Sequence, residues 1–205
     1  MPTLACSNIL YNNQFNTDYD FSVSFVYKMD TQSITPVNNN GFGLFFIDGN
    51  NSTLTGGGSG VGLGAIKTDG TSVSGMFAIV GFDVQGTFTQ INSISAFTTG
   101  NASQNPLSIG ARVSTNYTFL SALPLPDVTA FDYDTEHTIR LDVRNKFRTI
   151  TVNKLLNNNY YQLATFNSSY LIDNGVLPAL GKFGISYSGD TIFTVKDINL
   201  NYTSP

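Results

Sequence analysis

Apolar residues recur at every second position along much of the chain, and this pattern predicts β-strands with one buried face. The alternation is regular over 21–29, where it predicts a half-buried strand. It also runs through 137–153, on both sides of Asn145-Lys146, which predicts a β-hairpin. Near Lys196-Asp197 the alternation changes phase, as expected of a β-bulge. A helical period is nearly absent.

Two segments are apolar on both faces, which predicts central strands of a sheet that is covered on each side. They are 42–47, with the sequence FGLFFI, and 76–84, with the sequence MFAIVGFDV. The glycine-rich stretch 56–64 lies between them, and glycine permits positive φ and close backbone approach. It has neither the Gly-Lys-Ser/Thr of a Walker loop nor a following helical pattern, so it does not indicate a nucleotide-binding loop. Long surface loops are predicted at 30–40, 93–106 and 120–134.

The composition agrees with an all-β chain. Of the 205 residues, 41% are hydrophobic, which is enough to build a core. Asn, Gly, Ser and Thr make up roughly two fifths of the chain, which favours turns and strands over helices. An all-β sandwich can use this length as one unit, and loops alternate with strands to the end. We therefore predict a single domain over 1–205.

The charge content narrows the possible partners. Charged residues are only 12% and the net charge is -4, so we expect no nucleic-acid-binding surface. No apolar run reaches the length of about 18 residues that spans a membrane, and the first residues lack the pattern of a signal peptide.

Cys6 is the sole cysteine, which excludes an intrachain disulfide. We interpret it as a small buried residue.

Several segments resemble those of L-type (legume-like) lectins. Residues 38–47 resemble the Asp-Gly-x-x-Phe-Phe strand of that family, 57–64 the Gly-Gly-x-Leu-Gly strand, and 78–83 the Val-Ala-Val-Glu-Phe-Asp strand. Residues 81–88 are similar to the Gly-Phe-Asp-x-x-Gly-Asn-Phe form of the bacterial and viral branch, and 105–112 to its strand ending near an arginine. Residues 177–178 followed by 182–187, and then 195–198, resemble the closing strands. The order and spacing match over about 20–203. The resemblance implies a concanavalin A-like jelly-roll sandwich of two antiparallel sheets, which agrees with the many short strands.

The resemblance also implies where a sugar would bind. Such sites are shallow and are built from loop amides, glycine backbones and aromatic faces. The candidate carbohydrate-binding residues are Asn40, Gly57, Gly58, Asp83, Thr87, Phe88, Gly189 and Asp190. Asn40 stands where the family has a sugar-binding aspartate. An amide still donates and accepts hydrogen bonds, but the charge-assisted contact is lost.

Metal ligands of the family are replaced in this chain. Legume lectins hold a transition metal and calcium beside the sugar site. Gly81 stands at the position of one ligating glutamate, and Ser108 falls near the position of a ligating histidine. We therefore predict no metal site and no cofactor. A calcium site made of Asp83, Thr87 and carbonyls stays open as an alternative, although calcium takes about six to eight oxygens.

Catalysis is not expected either. The same fold includes glycoside hydrolases, which need a pair of carboxylates roughly 5–10 Å apart. The corresponding strand of this chain offers only Asp83. Glu136 is the sole glutamate, and we interpret its cluster with Asp132, Asp134 and His137 as a solvated loop. No catalytic residues are predicted.

These observations predict a non-catalytic, lectin-like surface module. The low charge and the Asn-, Gly- and Thr-rich composition fit a virion component, a capsid decoration or a fibre, present in many copies. Its predicted partners are glycans or a host surface, and neighbouring virion proteins. Two alternatives stay open: a purely structural capsid or assembly protein, and a free lectin of non-viral origin at an extracellular or cell-surface location.

Overall fold

The computed structural model describes residues 5–30, 39–51, 54, 62–67, 69–90, 92–94, 96–104, 106–113, 117–124, 132–189 and 192–202. In this part of the chain the secondary structure is almost entirely β. The strands are β1 (Ala5–Asn16), β2 (Phe21–Asp30), β3 (Asn39–Asp48), β4 (Met76–Asp83), β5 (Ser108–Val113), β6 (Thr118–Pro124), β7 (His137–Arg144), β8 (Thr149–Leu156), β9 (Asn159–Asn167), β10 (Leu180–Gly189) and β11 (Ile192–Tyr202). One short helix, α1 (Tyr170–Asp173), precedes β10.

The strands form two antiparallel sheets that pack as a jelly-roll sandwich. Sheet A has six strands in the order β1-β10-β3-β4-β5-β6, and sheet B has five in the order β11-β2-β7-β8-β9. The predicted fold class is thus confirmed. No helix in the described residues is long and apolar enough to cross a membrane.

Sheet B follows the alternating pattern read from the sequence. Strand β2 alternates strictly between buried and half-buried residues, and β7 and β8 form the predicted hairpin, with Leu141 opposite Val152. The register between β11 and β2 shifts between Lys196 and Asn199. Asp197 takes a positive φ of 53° there, so the predicted bulge near Lys196-Asp197 is confirmed.

The core between the sheets is rich in aromatic rings. Phe42 of β3 stacks on Phe82 of β4 with ring centroids 4.4 Å apart, and Tyr187 of β10 stacks on Phe193 of β11 at 4.7 Å. The second pair joins sheet A to sheet B. Offset and stacked aromatic pairs contribute about 0.5–1.5 kcal/mol each beyond the area they bury.

Sheet A has a second core on its other face. Phe45 and Ile47 of β3 and Ile79 of β4 point away from sheet B and pack against loop residues that include Leu63 and Phe97. Strand β4 is buried along its whole length. The prediction that these two segments are central strands covered on each side is therefore confirmed.

A row of small residues crosses sheet A under this second core. Ser186, Gly43, Gly81 and Gly110 lie side by side on β10, β3, β4 and β5. A Cβ atom on Gly81 would lie 2.5 Å from Leu63 Cδ1 and 2.6 Å from Phe88 Cε1. The covering loops therefore rest directly on the backbone of the sheet, and we call Ser186, Gly43, Gly81 and Gly110 the small-residue row.

Some sequence-based expectations were wrong. The predicted loop 120–134 begins with residues of β6, which pairs with β5. The described residues of the predicted loop 93–106 belong to no strand, as expected. However, Ile94 and Phe97 are buried, so this loop does not lie wholly on the surface. Cys6 is exposed on β1 rather than buried. Most of the predicted loop at 30–40 lies outside the described residues.

We predict that Gly110→Ala destabilises the protein by about 1–3 kcal/mol, because the new Cβ would overpack the covering loop. The Cβ would lie 2.6 Å from Thr89 Cγ2, whereas its next contacts, with the Phe88 ring, are at an ordinary 3.7 Å. Thr89→Ser removes that methyl group and keeps the hydroxyl. The double variant should therefore recover most of the loss in urea unfolding. Additive losses in the double-mutant cycle would contradict the packing of Thr89 on Gly110.

Candidate functional site

The topology brings several predicted site positions to one end of sheet A. Strand β3 starts where β4 and β10 end, because it runs antiparallel to both. Asn39 pairs with Gly189, and Gly41 pairs with Asp83. The backbone of Asn40 and the residues Asp83 and Gly189 are thus neighbours at this end, which we call the loop end. Gly57, Gly58 and Asp190 lie outside the described residues.

Gly41 explains how closely the strands approach at the loop end. Its φ is 117°, and a Cβ atom there would lie 1.9 Å from the carbonyl oxygen of Phe82. A side chain at this position would therefore clash with the backbone of β4. Glycine is required here for both reasons.

Asp83 organises the turn that follows β4. Its carboxylate is fully buried and accepts hydrogen bonds from the backbone N–H of Gly86 at 2.8 Å and of Thr89 at 3.1 Å. The Thr89 hydroxyl donates to the carbonyl of Gly86 at 3.1 Å. Burial raises the pKa of Asp83 to about 6, although hydrogen bonds from the backbone amides oppose that rise. The carboxylate is a buried anion that shapes the loop.

Thr87 and Phe88 lie on the same turn but differ in what they can contact. The Phe88 ring is fully buried and packs edge-on against Phe97 with centroids 5.9 Å apart. It therefore presents no open face to a sugar, and in this structure it is a packing residue of the second core. Thr87 is 9% exposed, and its buried Oγ1 has no hydrogen-bond partner among the described residues.

Arg112 is a buried residue at the end of the segment 105–112, whose resemblance to a family strand marked its position but implied no role for it. It is 1% exposed and projects from β5 into the second core. Its guanidinium donates to carbonyl oxygens of the covering loops. One feature of the sequence could have marked it: an arginine stands inside the otherwise uncharged strand 108–113.

The acidic cluster near the start of β7 has a surface arrangement. Glu136 forms an ion pair with Lys196 at 2.6 Å, and both side chains are about half exposed. The His137 ring nitrogen Nε2 lies 3.1 Å from the carbonyl oxygen of Asp132. Asp132, Asp134 and Glu136 are exposed, which supports our interpretation of them as a solvated turn. The interpretation was wrong for His137, which is buried at the start of β7 and packs against Tyr27.

The residues around Asp83 do not fit the paired metal site of legume lectins. Both carboxylate oxygens of Asp83 accept backbone N–H groups, and the neighbouring positions on the same face of sheet A are Gly81 and Ser108. Neither is a carboxylate or an imidazole. Among the described residues, no three His, Cys, Asp or Glu side chains come together.

Comparison with known proteins supports the fold. No family model and no curated protein matches the sequence. Among solved structures, peanut lectin with a nine-residue peptide gives a TM-score of 0.68 at 18% identity over 98% of this chain and 82% of that chain. A Lotus tetragonolobus seed lectin gives 0.66 at 16% identity over 100% and 85%. The Bauhinia forficata lectin in complex with GalNAc gives 0.61 at 16% identity over 98% and 81%.

These similarities establish a shared fold. The chain has the concanavalin A-like fold of the legume L-type lectins, as the resemblance in its sequence predicted. These three lectins are plant proteins, so the relation to a bacterial and viral branch stays a prediction. Identities of 16–18% carry no residue-by-residue assignment of the site.

We predict that stability falls as pH rises from about 4 to 7, because folding raises the pKa of Asp83 to about 6. The native state then holds a proton that the unfolded state releases near pH 4, so stability is greatest below the unfolded pKa. The contribution is on the order of 3 kcal/mol. Asp83→Asn cannot titrate, so its stability relative to the wild type should increase over this range in urea unfolding. Parallel pH profiles of the two proteins would contradict the buried carboxylate.

We also predict that neither transition metals nor calcium stabilise the protein, because the donor set around Asp83 is incomplete. Chelation with EDTA should leave the thermal midpoint unchanged, and elemental analysis should find far less than one ion per chain. Stoichiometric manganese or zinc would refute this. A higher midpoint on addition of calcium would instead favour the alternative site at Asp83 and Thr87.

Proposed function

We propose that this chain is a non-catalytic carbohydrate-binding module, with its site at the loop end of sheet A. The observation that carries the proposal is the meeting of Asn40, Asp83 and Gly189 at one end of a lectin-fold sheet. Three separate segments of the sequence supply these positions, and the resemblance to L-type lectins had selected them independently of the topology.

The chemistry of the loop end suits sugar hydroxyl groups. The amide of Asn40 can donate to one hydroxyl and accept from another. The Thr87 hydroxyl oxygen is buried and therefore offers a sugar no direct contact. Asp83 acts indirectly, because its oxygens are already bonded to Gly86 and Thr89.

Affinity for a single sugar should be weak. The chain has no Trp, and the Phe88 ring is buried, so stacking on a sugar ring is limited. Display in many copies would raise the overall affinity by about 100- to 10,000-fold without new contacts. We therefore propose that the module works as a repeated unit on a virus particle. The low charge and the Asn-, Gly- and Thr-rich composition support this setting.

The carbohydrate prediction is tested on a glycan array with the monomeric domain and with the domain coupled in many copies to a nanoparticle. We expect binding by the multivalent form and little by the monomer. Asn40→Ala and Asp190→Ala should reduce binding at least about tenfold, the loss of one good polar contact. The matched control is Asn201→Ala, an exposed asparagine on β11 of sheet B.

Absence of binding in both formats would refute the carbohydrate site and leave the structural alternative. Equal binding by the wild type and by Asn40→Ala and Asp190→Ala would refute its location at the loop end. The virion setting is tested separately by mass spectrometry and immunogold labelling of purified particles from the source. Particles without the protein would refute that part and favour a free lectin.

A further inference from the structure

The loop over 84–107 contains no strand or helix in its described residues, and it covers the face of sheet A next to the loop end. Regular hydrogen-bond ladders therefore do not hold it in place. A few backbone hydrogen bonds connect its parts, such as Asn101 N–H to Thr89 O at 2.9 Å and Leu107 N–H to Val84 O at 3.2 Å. Its buried carbonyl groups need further donors, because a buried carbonyl group without a hydrogen-bond partner destabilises the folded state.

Arg112 supplies those donors. Its Nε donates to Phe88 O at 3.0 Å and its Nη2 to Gln90 O at 3.4 Å. Its Nη1 donates to Thr99 O at 2.8 Å and to Tyr117 O at 3.0 Å. Four of the five N–H groups of a guanidinium are thus used. One side chain ties together both limbs of the loop and the start of β6.

Aromatic rings complete the enclosure of the guanidinium. Its central carbon lies 3.7 Å from the centroid of the Phe97 ring and 5.0 Å from that of Phe119. A cation over an aromatic face is attracted by the negative charge of that face. Phe97 belongs to the loop and Phe119 to β6, so the rings reinforce the same connection as the carbonyl groups.

The charge of Arg112 persists in this environment. Burial lowers its pKa to about 9, although the charge of Asp83 opposes that fall, so the guanidinium stays protonated at neutral pH. Among the described residues, no carboxylate is close enough to form an ion pair with it. Backbone carbonyl oxygens surround the cation, and carbonyl oxygens are also ligands of hard metal ions.

Asp83 and Arg112 hold the loop in complementary ways. The Asp83 carboxylate binds the N–H groups of Gly86 and Thr89, and the Arg112 guanidinium binds the carbonyl groups of Phe88 and Gln90. One turn of the chain is thus bound by an anion through its N–H groups and by a cation through its carbonyl groups. The same region lacks the donor set for a metal pair.

We propose that Arg112 is the positioning residue of the loop end, a cation built into the chain that organises the 84–107 loop in place of a bound metal ion. The expected effect of Arg112 on glycan binding rests on the proposed function, whereas its expected effect on the order of the 84–107 loop does not. The planar fork matters as well as the charge, because four carbonyl groups in different directions need fixed donors.

The test is amide hydrogen exchange of the full chain with Arg112→Ala. We expect exchange in 84–107 to rise at least about tenfold, as for a segment that opens locally, and exchange in the β7–β8 hairpin to stay unchanged. Ethylguanidinium replaces the atoms that the variant lacks, so at millimolar concentration it should restore protection. Ethylammonium has the same charge without the fork and should not. Arg148→Ala, at an exposed arginine, is the matched control.

Arg112→Lys separates charge from geometry. A lysine keeps the charge but not the fork, so the loop should exchange nearly as fast as in Arg112→Ala. Full protection with lysine would overturn the proposal, and so would loosening of the wild-type loop by EDTA or protection of the variant by calcium. If Arg112→Ala does not fold alone, refolding with ethylguanidinium but not ethylammonium supports the proposal. Recovery with neither compound overturns it.

Hydrogen exchange needs no glycan, so this result is independent of the proposed function. If the wild type binds no glycan but the loop opens in Arg112→Ala, the carbohydrate function fails and the organising role stands. If the wild type binds glycans, the variant should lose that binding and regain it with ethylguanidinium. A variant with an open loop and wild-type binding would overturn the link between Arg112 and the site.

Discussion

The burial of sheet A on both faces is the constraint from which the rest of the structure follows. One face packs on sheet B through aromatic rings, and the other is covered by loops. Loops can cover a sheet closely only where side chains leave room. The small-residue row provides that room, because Leu63 and Phe88 occupy the space that a Cβ atom on Gly81 would need. The position of the loops is thus set by glycines in the strands beneath them.

A cover made of loops creates an electrostatic problem that a helix would not. A helix satisfies most of its own backbone groups, whereas an irregular loop buries N–H and carbonyl groups that need partners from elsewhere. Asp83 accepts from the N–H groups and Arg112 donates to the carbonyl groups. The chain has only 12% charged residues, and two of its buried charged side chains are therefore placed where the loop backbone needs partners.

The sequence pattern could predict the elements whose burial is periodic or complete. Buried and half-buried residues alternate along strand β2, and β4 is wholly buried, so the apolar pattern of the sequence predicted both strands. Strand β9 was not, because its first four residues are all exposed and an edge strand needs no apolar face there. The site was only partly predictable: the family resemblance marked Asn40 and Asp83, but the partners of Arg112 are backbone carbonyls. Every residue has a backbone carbonyl group, so no sequence pattern identifies the four carbonyl groups that accept hydrogen bonds from Arg112.

The two buried charges also determine what the loop end responds to. A metal ion can be removed by a chelator, but Asp83 and Arg112 are part of the chain and change only by protonation. Burial brings the pKa of Asp83 to about 6 and that of Arg112 to about 9. Near neutral pH both groups are therefore charged, and each has the backbone partners that its charge requires. Acidification reaches the pKa of Asp83 first, because that value lies closer to neutrality. Since folding raises this pKa, protonation of Asp83 stabilises the folded state, so the loop end should respond to pH through Asp83 and be most stable in mild acid.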